Sequence, residues 1–308
     1  MTAYFASLSV PTLIGALPGN IAQGVIWGIM ALGVYLTFRV LNFADLTVDG
    51  SFATGGAVTV MLVINGWSVP TALLIAFAAG LVAGFLHTVL GIPDILAGIL
   101  SQIALYSINL NIMGMANQAL SVDKYNLLVS LREVQKSILV SVIFAFVIIC
   151  ILYWYFGTEQ GCALRATGCN PNMAKAQGIN VDFMKILALA LSNGLVALAG
   201  GLIAQYQGFA DINMGRGAIV IGLAAVIIGE VLGEALLAKH LNFMGRLIFV
   251  VIGGIIYYIV VGIVLWLKMP TNDLKLFTAI IVAIFLAVPY LRAKSRNSFA
   301  KAAKKGAE

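Results

Sequence analysis

The sequence predicts an all-α polytopic membrane protein of nine or ten membrane-crossing helices built on an inverted internal repeat. Three observations predict it. The chain of 308 residues is 61% hydrophobic and only 10% charged, with a mean hydropathy of +1.03, whereas a soluble domain carries about 25% charged residues. Its apolar blocks are about 17 to 25 residues long, enough for a helix to cross the hydrocarbon core and too continuous for barrel strands of about ten alternating residues. Finally, one pattern of residues recurs at a fixed spacing.

The blocks run from Ile21 to Leu41, Gly50 to Ile64, Val69 to Gly91, Ile95 to Met115, Ile138 to Phe156, Phe183 to Gln207, Gly217 to Ala238, Met244 to Leu267 and Leu274 to Leu291. Residues 2–18 form a tenth uncharged stretch, broken by Pro11 and Pro18, which is either a short crossing or an interfacial helix. The first 18 residues hold no basic cluster, which argues against a cleaved signal peptide. Three cysteines, Cys150, Cys162 and Cys169, have neither the even number of a disulfide framework nor paired metal-ligand spacing. His87 and His240 stand alone, so neither carries a metal or catalytic assignment.

The repeat joins Gly28-Ile-Met-Ala31-Leu32 and the later Phe43-Ala44-Asp45-Leu46-Thr47-Val48 to Gly194-Leu-Val-Ala197-Leu198 and Phe209-Ala210-Asp211-Ile212-Asn213-Met214. The step from 28 to 194 equals that from 43 to 209, namely 166 residues without a gap. Five crossings separate the copies, which places the first Phe-Ala-Asp at one membrane face and the second at the other. Inverted repeats are a transporter signature, since two pseudo-symmetric halves can exchange inward-open and outward-open arrangements around a central path.

A polar segment interrupts the apolar blocks: Gly161-Cys-Ala-Leu-Arg165-Ala166-Thr-Gly168-Cys-Asn170-Pro171-Asn-Met-Ala174-Lys175-Ala-Gln-Gly178-Ile-Asn180. Asn170 is a helix cap, Pro171 suits the first helical position and Gly178 the stop, so a short helix is expected from Asn170 to Gln177. The pattern Gly-x-x-x-Arg-Ala-x-Gly-x-Asn-Pro, then Ala, then Gly-Ile-Asn, resembles the cytoplasmic coupling segment of permease subunits in ATP-binding-cassette importers, in the superfamily that carries branched-chain amino acids, ribose and nucleosides. That resemblance implies a type II-like importer permease that pairs with a second copy as a homodimer, docks a cytoplasmic ATPase dimer and receives solute from an extracytoplasmic binding protein. It also implies contact with the ATPase by Gly161, Arg165, Ala166, Gly168, Asn170, Pro171, Ala174, Lys175 and Gly178, with Arg165 offering a bidentate fork to a carboxylate. The chain itself has no Gly-x-x-x-x-Gly-Lys-Ser/Thr motif, so ATP and magnesium are expected on the partner and no cofactor on this chain.

If that segment is cytoplasmic, four crossings return the basic tail to the same side. Twelve of the 18 basic residues then lie inside: six of the tail plus Arg39, Arg165, Lys175, Lys185, Lys239 and Arg246. Lys124, Arg132, Lys136, Arg216, Lys268 and Lys275 lie outside, a bias in the expected direction for a plasma-membrane protein with a cytoplasmic C-terminus. The organisation expected is a single permease domain, with a first repeat over about 20–156, a coupling segment over 157–182, a second repeat over about 183–291 and a tail over 292–308.

Candidate pathway or gate residues follow from the expense of polar groups in a bilayer. Asn42, Phe43, Asp45 and Asp49 precede or open the second block, and Asp45 and Asp49 can either line a gate or cap the following helix. The same choice holds for Asp211 and Asn213. Gln102 and Asn109, seven residues apart and therefore on one helix face, join Asn193 and Gln205 as either pathway lining or interhelical hydrogen-bonding groups. Glu230 and Glu234 either line the path or sit at the cytoplasmic interface near Lys239 and His240. Gly24-x-x-x-Gly28, Gly80-x-x-x-Gly84 and Gly229-x-x-x-Gly233 permit close helix approach. The function expected is the translocation subunit of an ATP-driven importer for a small polar solute, amino acids first. The competing function is an ion-gradient transporter that uses Glu230 and Glu234.

Overall fold

The computed structural model describes residues 10–43, 45–88, 94–237 and 242–267, with 276, 279, 280, 283 and 287, the side chains of 10, 83–88 and 94 excepted. The block from Leu274 to Leu291 as a whole, the basic tail, Lys239 and His240 lie outside the described residues. Among the described residues, six helices are long and apolar enough to cross a membrane, and Val48–Ile64 and Val69–Val82 are shorter apolar helices.

Helix α1 spans Val10–Tyr35 and widens into a π-helical turn at Leu36–Val40. It runs straight through Pro18, so residues 10–18 are the first turns of this helix and not a separate element. Then follow α2 (Val48–Ile64), α3 (Val69–Thr88), α4 (Asp94–Met113), strand β1 (Asn117–Ala119) and α5 (Val134–Phe156). The polar segment holds α6 (Glu159–Cys169) and α7 (Pro171–Ala176), and α8 (Val181–Gln207), β2 (Phe209–Asp211), α9 (Ala218–Leu237) and α10 (Phe243–Trp266) complete the described fold. Strands β1 and β2 pair antiparallel with Gln118 opposite Ala210.

Helices α1 and α8 cross the centre in opposite directions. Tyr206 donates to the Gly19 carbonyl at 3.2 Å near one end, Ser192 donates to the Gly33 carbonyl at 2.8 Å midway, and Val40 abuts Gly168 at the end that carries α6 and α7. The two helices can come so close because Gly33 faces α8, where a Cβ would sit 2.7 Å from the Ser192 carbonyl. Small residues serve their other contacts in the same way: a Cβ at Gly24 would sit 2.6 Å from the Ile255 Cα of α10, and one at Gly80 would meet the Asn193 carbonyl of α8. Gly229 abuts the Phe249 carbonyl in the same way. Gly84 belongs to the residues whose side-chain surroundings are outside the described set.

The repeat is visible in individual hydrogen bonds. Asp45 accepts from the backbone N–H of Thr47 at 2.9 Å, and Asp211 accepts from that of Asn213 at 2.7 Å, the same turn at the same 166-residue step. Each turn feeds a helix that starts inside the bundle. Helix α2 begins beside Asn193, which lies twelve residues into α8, about 18 Å along it at 1.5 Å per residue. From there α2 climbs away from α7, with Gly55 against Ala197 and Thr59 against Gly201. Helix α9 also begins at mid-height, and ends near α7, where Glu230 meets Arg39. The two copies therefore approach the middle from opposite ends, as an inverted repeat requires.

Two expectations change in consequence. The first Phe-Ala-Asp does not stop at a membrane face: it leads from the α7 end into the middle, where the Asp45 carboxylate receives the Asn193 amide at 2.8 Å. Arg216 is not in an external loop, since its neighbours Gly215 and Gly217 pack on and hydrogen-bond to Asp49. Irregular backbone at this depth persists only if protein groups satisfy it, and the Asp49 carboxylate of the first repeat does so at the start of α9.

Candidate solute pathway and coupling surface

Asp49 lies in the first turn of α2, yet its carboxylate serves the other half of the molecule. Its two oxygens accept from the N–H groups of Gly217 at 2.9 Å and Ile219 at 3.0 Å, the otherwise unpaired donors at the start of α9. Two helix N-termini thus converge on one carboxylate, each favouring its negative charge. The helix-cap reading applies to Asp49 across the repeat and not within its own helix.

Beside it lies a cavity of about 340 Å³ whose walls include Asp49, Gln102, Tyr106, Asn109, Asn213 and Arg216. That volume is on the scale of small-ligand sites, about 300–1,000 Å³. The seven-residue spacing of Gln102 and Asn109 puts both on the same side of α4, toward the re-entrant segments. Asn109 is 1% exposed and neither of its amide atoms has a hydrogen-bond partner. Four residues picked from the sequence, Asp49, Gln102, Asn109 and Asn213, therefore share one cavity. Sequence reasoning missed Arg216 and Tyr106. The repeat held a clue to the first, because Arg216 is the counterpart of Gly50, next to Asp49.

The other candidates are elsewhere. Asp45, Thr47 and Asn193 form a buried hydrogen-bonded cluster: the Asn193 amide N–H binds Asp45, and the Thr47 hydroxyl contacts both Asp45 and the Asn193 Oδ1, the latter at 3.0 Å. Asn42 adopts a left-handed φ of 55° and is exposed, whereas Phe43 is buried and its N–H binds the Thr37 carbonyl at 2.9 Å. Together they turn the chain from α1 toward the middle. Gln205 is fully buried on α8 with both amide atoms unpartnered and lies outside the cavity walls. Asp211 accepts from the Asn117 side chain at 3.4 Å beside the small sheet. Glu230 accepts from Arg39 Nε at 2.7 Å, and Glu234 is exposed one turn further on.

In the polar segment, Asn170 caps α7 by accepting from Met173 N–H at 3.1 Å, Pro171 takes the first helical position and Gly178 has φ +81°. The expected helix is present. The preceding residues, however, are helical too, with Thr158 as cap of α6. Gly161 and Gly168 lie inside that helix, and their function is contact: a Cβ at Gly161 would press on the Phe156 Cα at 2.5 Å, and one at Gly168 would collide with the Val40 carbonyl. Arg165 also turns inward. Its guanidinium donates to the Phe156 carbonyl and lies 5.7 Å and 5.5 Å from the ring centres of Phe156 and Phe243. Its fork is used to clamp α6 onto α5 and α10. The outward face comprises Ala166, Asn170, Pro171, Met173, Lys175 and Gly178, with Met173 63% exposed, while buried Ala174 seats α7 on the bundle.

The chain matches one protein family and resembles several known proteins. Residues 14–289 match the family described as "Branched-chain amino acid transport system / permease component". The chain is 38% identical over 285 residues to the "Tyrosine transport system permease protein" of Clostridioides difficile (strain R20291), covering 91% of this chain and 93% of that protein. It is 34% identical over 273 residues to "Uncharacterized protein RP368" of Rickettsia prowazekii (strain Madrid E), covering 86% and 94% respectively. Among solved structures it is similar to PsaBC from Streptococcus pneumoniae in complex with Fab, at 14% identity, a TM-score of 0.45 and coverage of 82% of this chain and 95% of that one. The chain is thus a multi-pass membrane protein and a transport subunit, and it belongs to the branched-chain amino acid permease family of ABC importers.

Proposed function

We propose that this chain forms the translocation pathway for an amino acid, and that the path passes the cavity beside Asp49. The observation that carries this reading is the meeting of the two inverted copies at that cavity: the places where both helices start, and where a rocking of one half against the other would act, supply its walls. The amino-acid assignment is supported by the 38% identity to a protein named for tyrosine transport. The exposed apolar side of α4, with Leu96, Ile99, Ile103 and Leu110, is continuous with the cavity and suits a second copy of the chain. A homodimer would enclose the path between subunits. The outward face of α7 would dock the cytoplasmic ATPase dimer, which holds ATP and magnesium, and a binding protein would deliver solute at the opposite end.

This reading sets the α7 end in the cytoplasm and the protein in the plasma membrane, with a cytoplasmic C-terminus. Cys162 and Cys169 on α6 are exposed and report on it directly. In right-side-out vesicles both should resist an impermeant maleimide, and in inverted vesicles both should react. Reaction from the outside reverses the orientation.

The energy source is tested by uptake. Proteoliposomes holding the permease, its ATPase and its binding protein should accumulate L-tyrosine only when ATP is inside the compartment with the ATPase. The permease alone should show no uptake with an imposed proton or sodium gradient. Gradient-driven uptake by the permease alone would restore the ion-coupled alternative, against which stand the pairing of Glu230 with Arg39 and the exposure of Glu234.

A further inference from the structure

We infer that the cavity beside Asp49 binds the zwitterionic end of a free amino acid, with Asp49 receiving the ammonium group and Arg216 the carboxylate. The inference rests on the proposal that this cavity is part of an amino-acid path, and adds which side chains hold the two charged groups of the solute.

Asp49 and Arg216 both lie in the cavity wall, yet neither belongs to any ion pair among the described residues. The placement of Asp49 is fixed by the two N–H groups of α9, which leaves each oxygen with a further lone pair for a ligand. Arg216 is held by the turn before α9, where its backbone N–H binds the Asn213 carbonyl at 3.0 Å, and its exposed guanidinium meets no acceptor among the described residues. A guanidinium at mid-bundle depth requires a counter-charge or water. Its fixed fork of donors matches a carboxylate better than it matches any hydroxyl.

The amides add a second, independent indication. Asn109 is buried, faces the cavity and satisfies neither its N–H nor its oxygen among the described residues. Buried polar groups are rarely left so, because the desolvation is not recovered. Together with Gln102 it offers neutral donors and acceptors on the α4 wall, where the exposed Tyr106 provides an aromatic face. A neutral sugar would leave both charges unanswered. A simple anion would face Asp49 and a simple cation would face Arg216, so the pair selects a molecule that carries both charges.

The test uses the full chain with Cys150, Cys162 and Cys169 replaced by Ser and the single reporter Ser107→Cys in the cavity wall, reconstituted with its ATPase. The rate of modification by a water-soluble methanethiosulfonate is measured with L-tyrosine, with tyramine, which lacks the carboxylate, and with 3-(4-hydroxyphenyl)propionate, which lacks the amine. The reporter should react, and L-tyrosine at about four times its dissociation constant should slow the reaction about fivefold, with no protection from either analogue at equal concentration. Arg216→Gln should abolish protection by L-tyrosine, and Arg216→Lys should restore part of it. A reporter that reacts and is protected equally by all three compounds, or by none, overturns zwitterion recognition and leaves the pathway reading standing. A reporter that never reacts overturns the pathway reading and this inference with it. The ligand comparison is made with Arg216 intact, so it does not depend on the folding of the Arg216 variants.

Discussion

Gly55→Val is expected to leave no folded protein. The Cβ of any residue other than glycine at position 55 would fall on the backbone of Ala197, with its carbonyl oxygen, carbonyl carbon and Cα all closer than 3.0 Å. Real Cβ atoms do not reach that distance, and backbone cannot move aside as a side chain can. Helices α2 and α8 would have to separate, and their separation would draw Thr47 and Asp45 away from Asn193. Ordinary over-packing costs about 1–3 kcal/mol. This substitution should exceed that range, because it opposes two main chains over a long contact. Size-exclusion of a fluorescently tagged chain should show aggregate only. Gly15→Ala is the control: nothing lies within 4 Å of its added Cβ, so its elution and melting temperature should match the parent. A monodisperse Gly55→Val protein that melts within a few degrees of the parent would show that this helix contact is not as close as described.

Met173→Glu is expected to abolish coupling without unfolding the chain. Met173 is an exposed apolar side chain on α7, 63% accessible, in a helix whose other outward residues are small or polar. Such a surface suits insertion into a cleft of a soluble partner, and a carboxylate there would be desolvated on docking without a partner. ATP-driven uptake in the reconstituted system should fall at least about tenfold, equivalent to about 1.4 kcal/mol of lost docking free energy. The melting temperature of the isolated permease should not change. Arg165→Gln differs in kind: by removing the clamp between α6, Phe156 and Phe243 it should loosen the whole α6–α7 unit. Normal uptake by Met173→Glu would remove α7 from the docking surface.

Local signals in the polar segment were readable wherever one residue's chemistry decided the outcome. The Asn170 cap, Pro171 at the first helical position and Gly178 with positive φ define α7 without reference to any other part of the chain. Gly161 and Gly168, which the resemblance assigned to the ATPase, are contact points inside a helix, since their partners, Phe156 and Val40, are set by packing. The direction of Arg165 was likewise undetermined by its own neighbours. A guanidinium can face outward to an acid or inward to two aromatic rings, and the positions of Phe156 and Phe243 decided for the rings.

By itself the sequence determined the class, the inverted repeat and a common face for Gln102 and Asn109, because composition, a fixed 166-residue step and helical periodicity are properties of the chain alone. Only the tertiary structure decided depth. The apolar blocks said that Asp45, Asp49 and Arg216 border helices, and not that those helices start in the middle of the bundle. Their depth depends on whether buried backbone and charge find partners, and those partners are 148 residues away for Asp45 and Asn193 and 168 for Asp49 and Gly217. A carboxylate that caps a helix of the other repeat is favourable only once both repeats have folded against each other, so no local rule could have located it.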